Sequence, residues 1–569
     1  MKRVLYYIII CAFSFLALAC QKEDPGADIH ANITLSKEKL EFDATGPTLK
    51  IILDVSSTFK WTVSVDQTWV DLSRESGEGS TNYKLTVEVK PNNHQEPRTA
   101  TIIFKSGATV KVVSVTQKQG AMILDPSQVK DYYKIYIPQD QKSHGFLNSS
   151  KQWFFGRSAQ SEHFIIFWEK EYGEYGDTTP KDAPRPFTVD VDALLAWAEK
   201  CFDYYCNILY FVDHGKGKSY TDKYKMHIRL VHSTEWKAEG FGVDDVIGVL
   251  AVNPDAAVDK STLAHEIGHI FQYQVYCDQV LNNEVSNNYH SGWRYEIGSI
   301  GCGFWEQTSQ WQSFVMCPDQ TLSNWYFDAY KNPVETTDGA DLGCFVSNCH
   351  RHFLHEVMRY SSYFFHYFIT DKYGMDAIGR IWRASRYPED ALQAYMKLFN
   401  LSVSEFNRDI YDYAAKCVTW DFKDTRDEGL KHLDKISWKY SKTSDGFYKV
   451  SDARSPEATG FNVIKLKSVK AGSNLTIDLE GLSEKADAGW TVGFVGLDKN
   501  NVRHYSEPAS ADKASGYKAT AEWTVPEGCT KVWAVVACTP GKYYSHGWDN
   551  NLANDVTWPY QIKVSGAGL

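Results

Sequence analysis

The chain has 569 residues, 43% hydrophobic and 23% charged, which is the usage of folded globular protein and excludes a disordered, collagen-like or coiled-coil chain. At roughly 100–200 residues per domain, this length predicts about three to four domains. A formal charge of -11 provides no basic field for phosphate backbones or an anionic membrane surface, so no nucleic-acid partner is expected.

Lys2 and Arg3 precede a mostly apolar stretch, Val4 to Ala19, too short to span a bilayer but suited to a secretory signal, so residues 1–19 are expected to be removed. The stretch closes on Leu16-Ala17-Leu18-Ala19-Cys20, similar to a bacterial lipobox except that Ala17 stands where Leu is usual. It predicts a lipid on Cys20 and a linker over 20–32. Gln21-Lys22-Glu23-Asp24 resembles the acidic export tag of surface lipoproteins, giving an expected outer-membrane, cell-surface location with a periplasm-facing anchor as the alternative. Export permits disulfides, and Cys201/Cys206, Cys302/Cys317, Cys344/Cys349 and Cys529/Cys538 are close enough in sequence to suggest local staples, with buried free thiols as the alternative.

From residue 33 to 120 the text is β: Lys50-Ile-Ile-Leu-Asp-Val55, Lys84-Leu-Thr-Val-Glu-Val89 and Thr99-Ala-Thr-Ile-Ile-Phe104 alternate or run apolar between Gly, Asn and Pro turns. A small Ig-like β-sandwich follows. Trp61, Trp69, Gly77-Glu78-Gly79, Arg98-Thr-Ala-Thr-Ile-Ile-Phe104 and Val115-Thr-Gln-Lys-Gln-Gly120 resemble a BACON domain. The resemblance implies a module at the front of a surface enzyme that acts on glycans or glycoproteins, and glycans as possible partners. Trp61 and Trp69 read first as core residues, which makes a spacer role the alternative to glycan binding.

Residues 121–435 mix strand-like runs, Phe164-Ile-Ile-Phe-Trp168 and Met226-His-Ile-Arg-Leu-Val231, with longer helical runs. Ser261-Thr-Leu-Ala-His-Glu-Ile-Gly-His-Ile270 contains HExxH. On a helix, residues four apart share a face, so His265 and His269 can aim two imidazoles at one cation with Glu266 beside them. With 17 His in the chain, an accidental HExxH has a chance of about 3%. Asp259, after Asn253-Pro254, is positioned to cap the helix. Strand Val246–Val252, if it lies at the sheet edge, can pair with an extended peptide.

A catalytic zinc takes three protein ligands. The metzincin pattern HExxHxxGxxH is excluded, because Gln272 and Val275 stand at its Gly and last His. Three downstream glutamates can serve instead: Glu284 and Glu296 lie in loop-like text, whereas Glu306 sits in a helical stripe of Phe304, Trp305, Thr308, Trp311 and Val315 and is the expected third ligand. His350, His352, His355 and Glu356 repeat no known ligand spacing and read as solvated or capping groups. His265-Glu-Ile-Gly-His269 followed by Trp305-Glu-Gln-Thr-Ser-Gln-Trp311 resembles the HExxH and WExxAxW pair of gluzincin-type zinc peptidases, loosely that of bacterial collagenases, with Ser309 in place of the usual Ala. Arg359-Tyr-Ser-Ser-Tyr-Phe-Phe-His-Tyr-Phe-Ile-Thr-Asp-Lys-Tyr-Gly374 resembles the later helix of such domains, and Tyr360 is the expected oxyanion donor.

Residues 436–569 return to strands, among them Trp490-Thr-Val-Gly-Phe-Val495 and Lys531-Val-Trp-Ala-Val-Val536, and predict an accessory β-sandwich of jelly-roll type. The expectation is thus a multidomain protein: an N-terminal Ig-like β-sandwich, a central α+β zincin-like catalytic domain and a C-terminal β-sandwich. Its expected function is that of a lipid-anchored Zn²⁺ endopeptidase cutting proteins or mucin-like glycoproteins. The rival is a non-catalytic glycan-binding lipoprotein with a zincin-like body, against which an intact Glu266 speaks.

Overall fold

The structure is a computed structural model that describes residues 30–285, 302–328, 342–436, 438–548 and 551–569. The expected signal segment, Cys20 and Glu296 lie outside the described residues. The chain divides into two compact units, residues 1–123 and 124–569. Among the described residues there are five β-sheets and nine α-helices, and no helix is long and apolar enough to cross a membrane.

In the first unit a four-stranded sheet (Ile33–Leu35, Lys50–Ser57, Thr81–Val89, Val70–Leu72) and a five-stranded sheet (Lys39–Phe42, Thr109–Gln117, Arg98–Ser106, Trp61–Val65, Ser76–Gly77) share one core. Alternation does this: Leu85, Val87 and Val89 face inward from one sheet, and Ala100, Ile102 and Phe104 from the other. Trp61 belongs to that core, packed on Tyr83 and Phe104. Gly77 is needed beneath it, because a Cβ there would meet the indole at 2.5 Å. Trp69 is half-buried with the Arg98 guanidinium 4.3 Å from its ring.

The second unit is built on a mixed sheet of strands β1 (Ser158–Gln160), β2 (Phe164–Trp168), β3 (Met226–Leu230), β4 (Ala238–Val243) and β5 (Ile247–Val252), in the order β1-β2-β3-β5-β4. β2, β3 and β5 are parallel, and β1 and β4 close the edges antiparallel. The strand expected at the edge is therefore interior: β5 is paired on both sides, and β4 takes the edge. Helices α1 (Val191–Asp203) and α2 (Lys260–Leu281) pack on the sheet, and α3 (Cys302–Met316) packs on α2. Helices α4 (Phe364–Tyr373), α5 (Ala377–Ala384), α6 (Ala391–Leu398) and α7 (Val403–Cys417) follow, with α7 against the C-terminal strands Trp490–Asp498 and Cys529–Cys538. Asp259 caps α2 as expected, its Oδ1 accepting from the backbone N–H of Ser261 and Thr262.

Two five-stranded sheets complete the unit. One holds Tyr440–Lys442, Tyr448–Val450, Tyr560–Ser565, Asn474–Gly481 and Lys518–Thr524; the other holds Phe461–Lys465, Cys529–Cys538, Trp490–Asp498 and Arg503–Tyr505, with Ala509–Ala511 also paired to Trp490–Asp498. They pack on each other through Val532, Ala534, Val536 and Cys538, while Trp533, Val535 and Ala537 of the same strand enter the core of the helical region. Burial on both faces explains why this strand reads as a continuous apolar run. It also welds the C-terminal sheets to the helices, so that 124–569 is one body.

The expected local staples are not formed: Cys201, Cys206, Cys344, Cys349, Cys529 and Cys538 are free thiols, as is Cys317. Sequence proximity alone does not bring two Cβ atoms into disulfide geometry.

Helix α2 seats on the sheet through glycines. A Cβ on Gly240 of β4 would lie 2.3 Å from the Glu266 carbonyl oxygen and 2.6 Å from the His269 Cβ, and one on Gly248 of β5 would lie 2.6 Å from the Ile270 Cβ. Gly240→Ala is expected to cost about 1–3 kcal/mol through overpacking, read as a lower denaturation midpoint. An unchanged midpoint would show that this contact does not set the seat of α2.

Candidate metal centre

His265 and His269 lie one turn apart on α2 and Glu306 lies on α3, and the packing of the two helices brings them together. Their ligand atoms fall within 4.8 Å of one another. Glu306 Oε2 is 3.1 Å from His265 Nε2 and 3.2 Å from His269 Nε2. A tetrahedral zinc with bonds of about 2.0–2.1 Å spaces its ligand atoms about 3.3 Å apart, so the donor set fits that ion in type and number, and Glu306 Oε2 stands at that spacing from both imidazole nitrogens.

The close approach of α2 and α3 rests on small and amide side chains. A Cβ on Gly268 would meet Gln312 Oε1 at 2.6 Å and Ser309 Oγ at 2.8 Å. Residues 303–314 of α3 are buried on every face, not along a stripe. Its polar groups are mostly hydrogen-bonded: the Gln307 amide donates to the Phe353 carbonyl and Thr308 Oγ1 bonds His366. His269 stacks on Trp305, ring centroids 4.9 Å apart.

His269 is also held from behind. Its Nδ1 lies 3.2 Å from Gln272 Oε1 and 3.0 Å from Ser309 Oγ, and the Gln272 amide in turn donates to Ser309 Oγ and Gln312 Oε1. Donation from Nδ1 to Gln272 leaves the lone pair on Nε2, the atom facing Glu306. The residue that departs from the WExxAxW pattern, Ser309, therefore has a partner that Ala would lack, and Gln272, the residue that excludes the metzincin pattern, supports the same imidazole.

Glu306 is only 4% exposed. Burial alone pushes a carboxyl up, but the facing His269 and His265 more than offset it and hold Glu306 well below the usual carboxylate range. For His269 burial lowers the pKa and the Glu306 carboxylate reverses this, so the imidazole is raised. A cation belongs among these three groups, either a proton on the imidazole or a metal ion.

Glu266 is not a member of the set. Its Oε2 accepts from the backbone N–H of Gly240 on edge strand β4 at 2.7 Å, and it lines a cleft of about 360 Å³ together with His265. Tyr360 also lines the cleft, its ring centroid 6.0 Å from that of His265 and nearly parallel; it stands in the turn before α4, not on that helix. Sequence reasoning missed Tyr326, which stacks on Tyr360 at 5.1 Å and whose phenol burial pushes up to about 12. Glu284 lies elsewhere and pairs with Arg386 at 2.8 Å.

A second grouping, His355, Glu457 and Asp555, also brings ligand atoms together. There the Arg351 guanidinium contacts Glu457 at 2.7 Å and Asp555 at 2.9 Å, and His355 Nδ1 accepts from the Val357 N–H, so Nε2 carries the proton it gives Asp555. Arg351 already supplies the positive charge, and the capping role expected for this histidine cluster holds at His355. The solvated setting expected as its alternative does not hold: His350, His352, His355 and Glu356 are all buried.

The family profile of DUF6055, a family of unknown function, matches residues 127–569. The chain belongs to that family. The BACON profile, described as "Putative binding domain, N-terminal", matches residues 59–118, which supports a BACON domain there. No curated protein matches the sequence. Solved structures show slight likeness. A Bacteroides ovatus GH5 xyloglucanase in complex with a XXXG heptasaccharide is 13% identical over 44% of this chain and 63% of its own, with a TM-score of 0.16. A Bacteroides thetaiotaomicron protein solved by NMR is 15% identical over 18% of this chain and 98% of its own, with a TM-score of 0.11. The chain thus spans less than two thirds of the xyloglucanase, and at these scores the likeness carries no argument.

Ser309→Ala and Gln272→Leu are each expected to weaken zinc binding about 10–100-fold, the usual effect of losing an outer-shell partner, as measured by chelator competition. Because the raised His269 proton must leave before Nε2 can bind a metal, zinc uptake at neutral pH should release protons, and affinity should fall as pH is lowered. Calorimetry in buffers of different ionisation enthalpy reads this directly; a binding enthalpy independent of buffer would contradict it.

Proposed function

We propose that the protein is a zinc-dependent endopeptidase of gluzincin type, acting on proteins or glycoproteins, with residues 121–435 as its zincin-like catalytic domain. The observation that carries this reading is the convergence of His265, His269 and Glu306 at one buried point, with Glu266 open to the same cleft. The two Nε2 atoms and Glu306 Oε2 would hold the ion. Zinc bound there supplies Lewis acidity toward a substrate carbonyl.

Glu266 is the general base. Gly240 holds its Oε2, which leaves Oε1 to take the proton of an attacking water and pass it to the departing amine. The phenol of Tyr360, backed by Tyr326, donates to the oxyanion. The same proposal includes export, lipidation at Cys20, anchorage in the outer membrane, and the BACON domain as a stalk or glycan-binding module.

Glu266→Gln should retain zinc and lose casein hydrolysis, because the base is not a ligand. Glu306→Ala should lose both, whereas Glu284→Ala should keep both. Hydrolysis by Glu266→Gln at the wild-type rate would overturn the mechanism. Tyr360→Phe should lower kcat about 10²–10³-fold, the scale of losing one oxyanion donor.

A further inference from the structure

The cleft has a wall that hydrolysis does not use. Gln310, one turn beyond Glu306 on α3, is 7% exposed, and its amide has no hydrogen-bond partner among the described residues and opens on the cleft. Beside it stand the hydroxyls of Ser261 and Ser313, 2.7 Å apart. Trp236, just ahead of edge strand β4, lines the same cleft with its side chain 63% exposed.

The lining restricts what can fill this wall. An apolar group would cover the Gln310 amide and replace none of its hydrogen bonds to water, whereas that amide needs both a donor and an acceptor. An anionic group would find no counter-charge, because among the described residues the lining holds no Lys or Arg. A cationic group would be drawn to the Glu266 carboxylate at the metal end of the cleft, since the carboxylate of Asp259 is already engaged by the N–H groups of Ser261 and Thr262 and by the Thr262 hydroxyl. The fitting occupant is neutral, carries several hydroxyls, and has a flat apolar face to lay on an indole. A monosaccharide ring has all three properties.

We propose that Gln310 and Trp236 form a saccharide subsite beside the metal centre, so that the protein reads a sugar carried on the substrate polypeptide next to the scissile bond. The scissile bond rests on the peptidase reading above; the sugar contact does not.

The test uses the full chain with Glu266→Gln, loaded with zinc. It is titrated calorimetrically with a peptide whose central threonine carries one N-acetylgalactosamine, with the unglycosylated twin, and with a twin holding glutamine at that position. The glycopeptide should bind about 10–100-fold more tightly than either twin, as one hydrogen-bonded amide and one aromatic contact provide. Gln310→Leu and Trp236→Ala should each remove most of that preference and leave the affinity for the twins unchanged. Equal affinities, a glutamine twin as tight as the glycopeptide, a preference that survives both substitutions, or no binding of any peptide at millimolar concentration overturns the subsite. Wild-type hydrolysis of the same peptides separates the two readings. Sugar preference in binding without hydrolysis overturns the peptidase and keeps the subsite, and hydrolysis without sugar preference does the reverse.

Discussion

A buried carboxylate facing two imidazole nitrogens at 3.1 and 3.2 Å is the constraint on which the rest of the second unit depends. Leaving an ion out of water without compensation costs several kcal/mol, so Glu306 and the two histidines are tenable at this depth only around a positive charge. Every nearby feature serves that requirement. Trp305 covers one imidazole, Gln272 and Ser309 fix its tautomer, and the Gly240 N–H anchors the one carboxylate, Glu266, that stays outside the set.

Precision comes from packing on both sides of α2. Glycines of β4 and β5 let the helix lie against the sheet, and Gly268 lets α3 approach from the opposite side. Helix α3 is in turn surrounded by the core that Trp533, Val535 and Ala537 enter from the C-terminal sheets. Those sheets therefore belong to the same body as the metal centre, and their loss would expose an apolar face of the helical core.

The site was legible in the sequence wherever local periodicity dictates geometry. Four-residue spacing on a helix places His265 and His269 together whatever the fold around them, and the aromatic residues flanking Glu306 marked it as rigidly held. Long-range pairing was less legible. Edge strand β4, Ala-Glu-Gly-Phe-Gly-Val, has the glycines of a turn, because close helix approach and strand weakness leave the same signature. Trp236, Gln310 and Tyr326 come from three separate segments that only tertiary packing unites, so no spacing rule could find them. The run Lys531-Val-Trp-Ala-Val-Val536 did carry a signal, since unbroken apolarity in a strand means two buried faces.

The central claim is that His265, His269 and Glu306 bind a metal ion. X-ray absorption at the zinc edge of the full chain, loaded with one equivalent and dialysed, tests it most directly. The account predicts retained zinc with a first shell of nitrogen and oxygen at about 2.0–2.1 Å, including the outer-shell signature of two imidazoles. Loss of zinc on dialysis, or a shell with sulfur at about 2.3 Å, would contradict it.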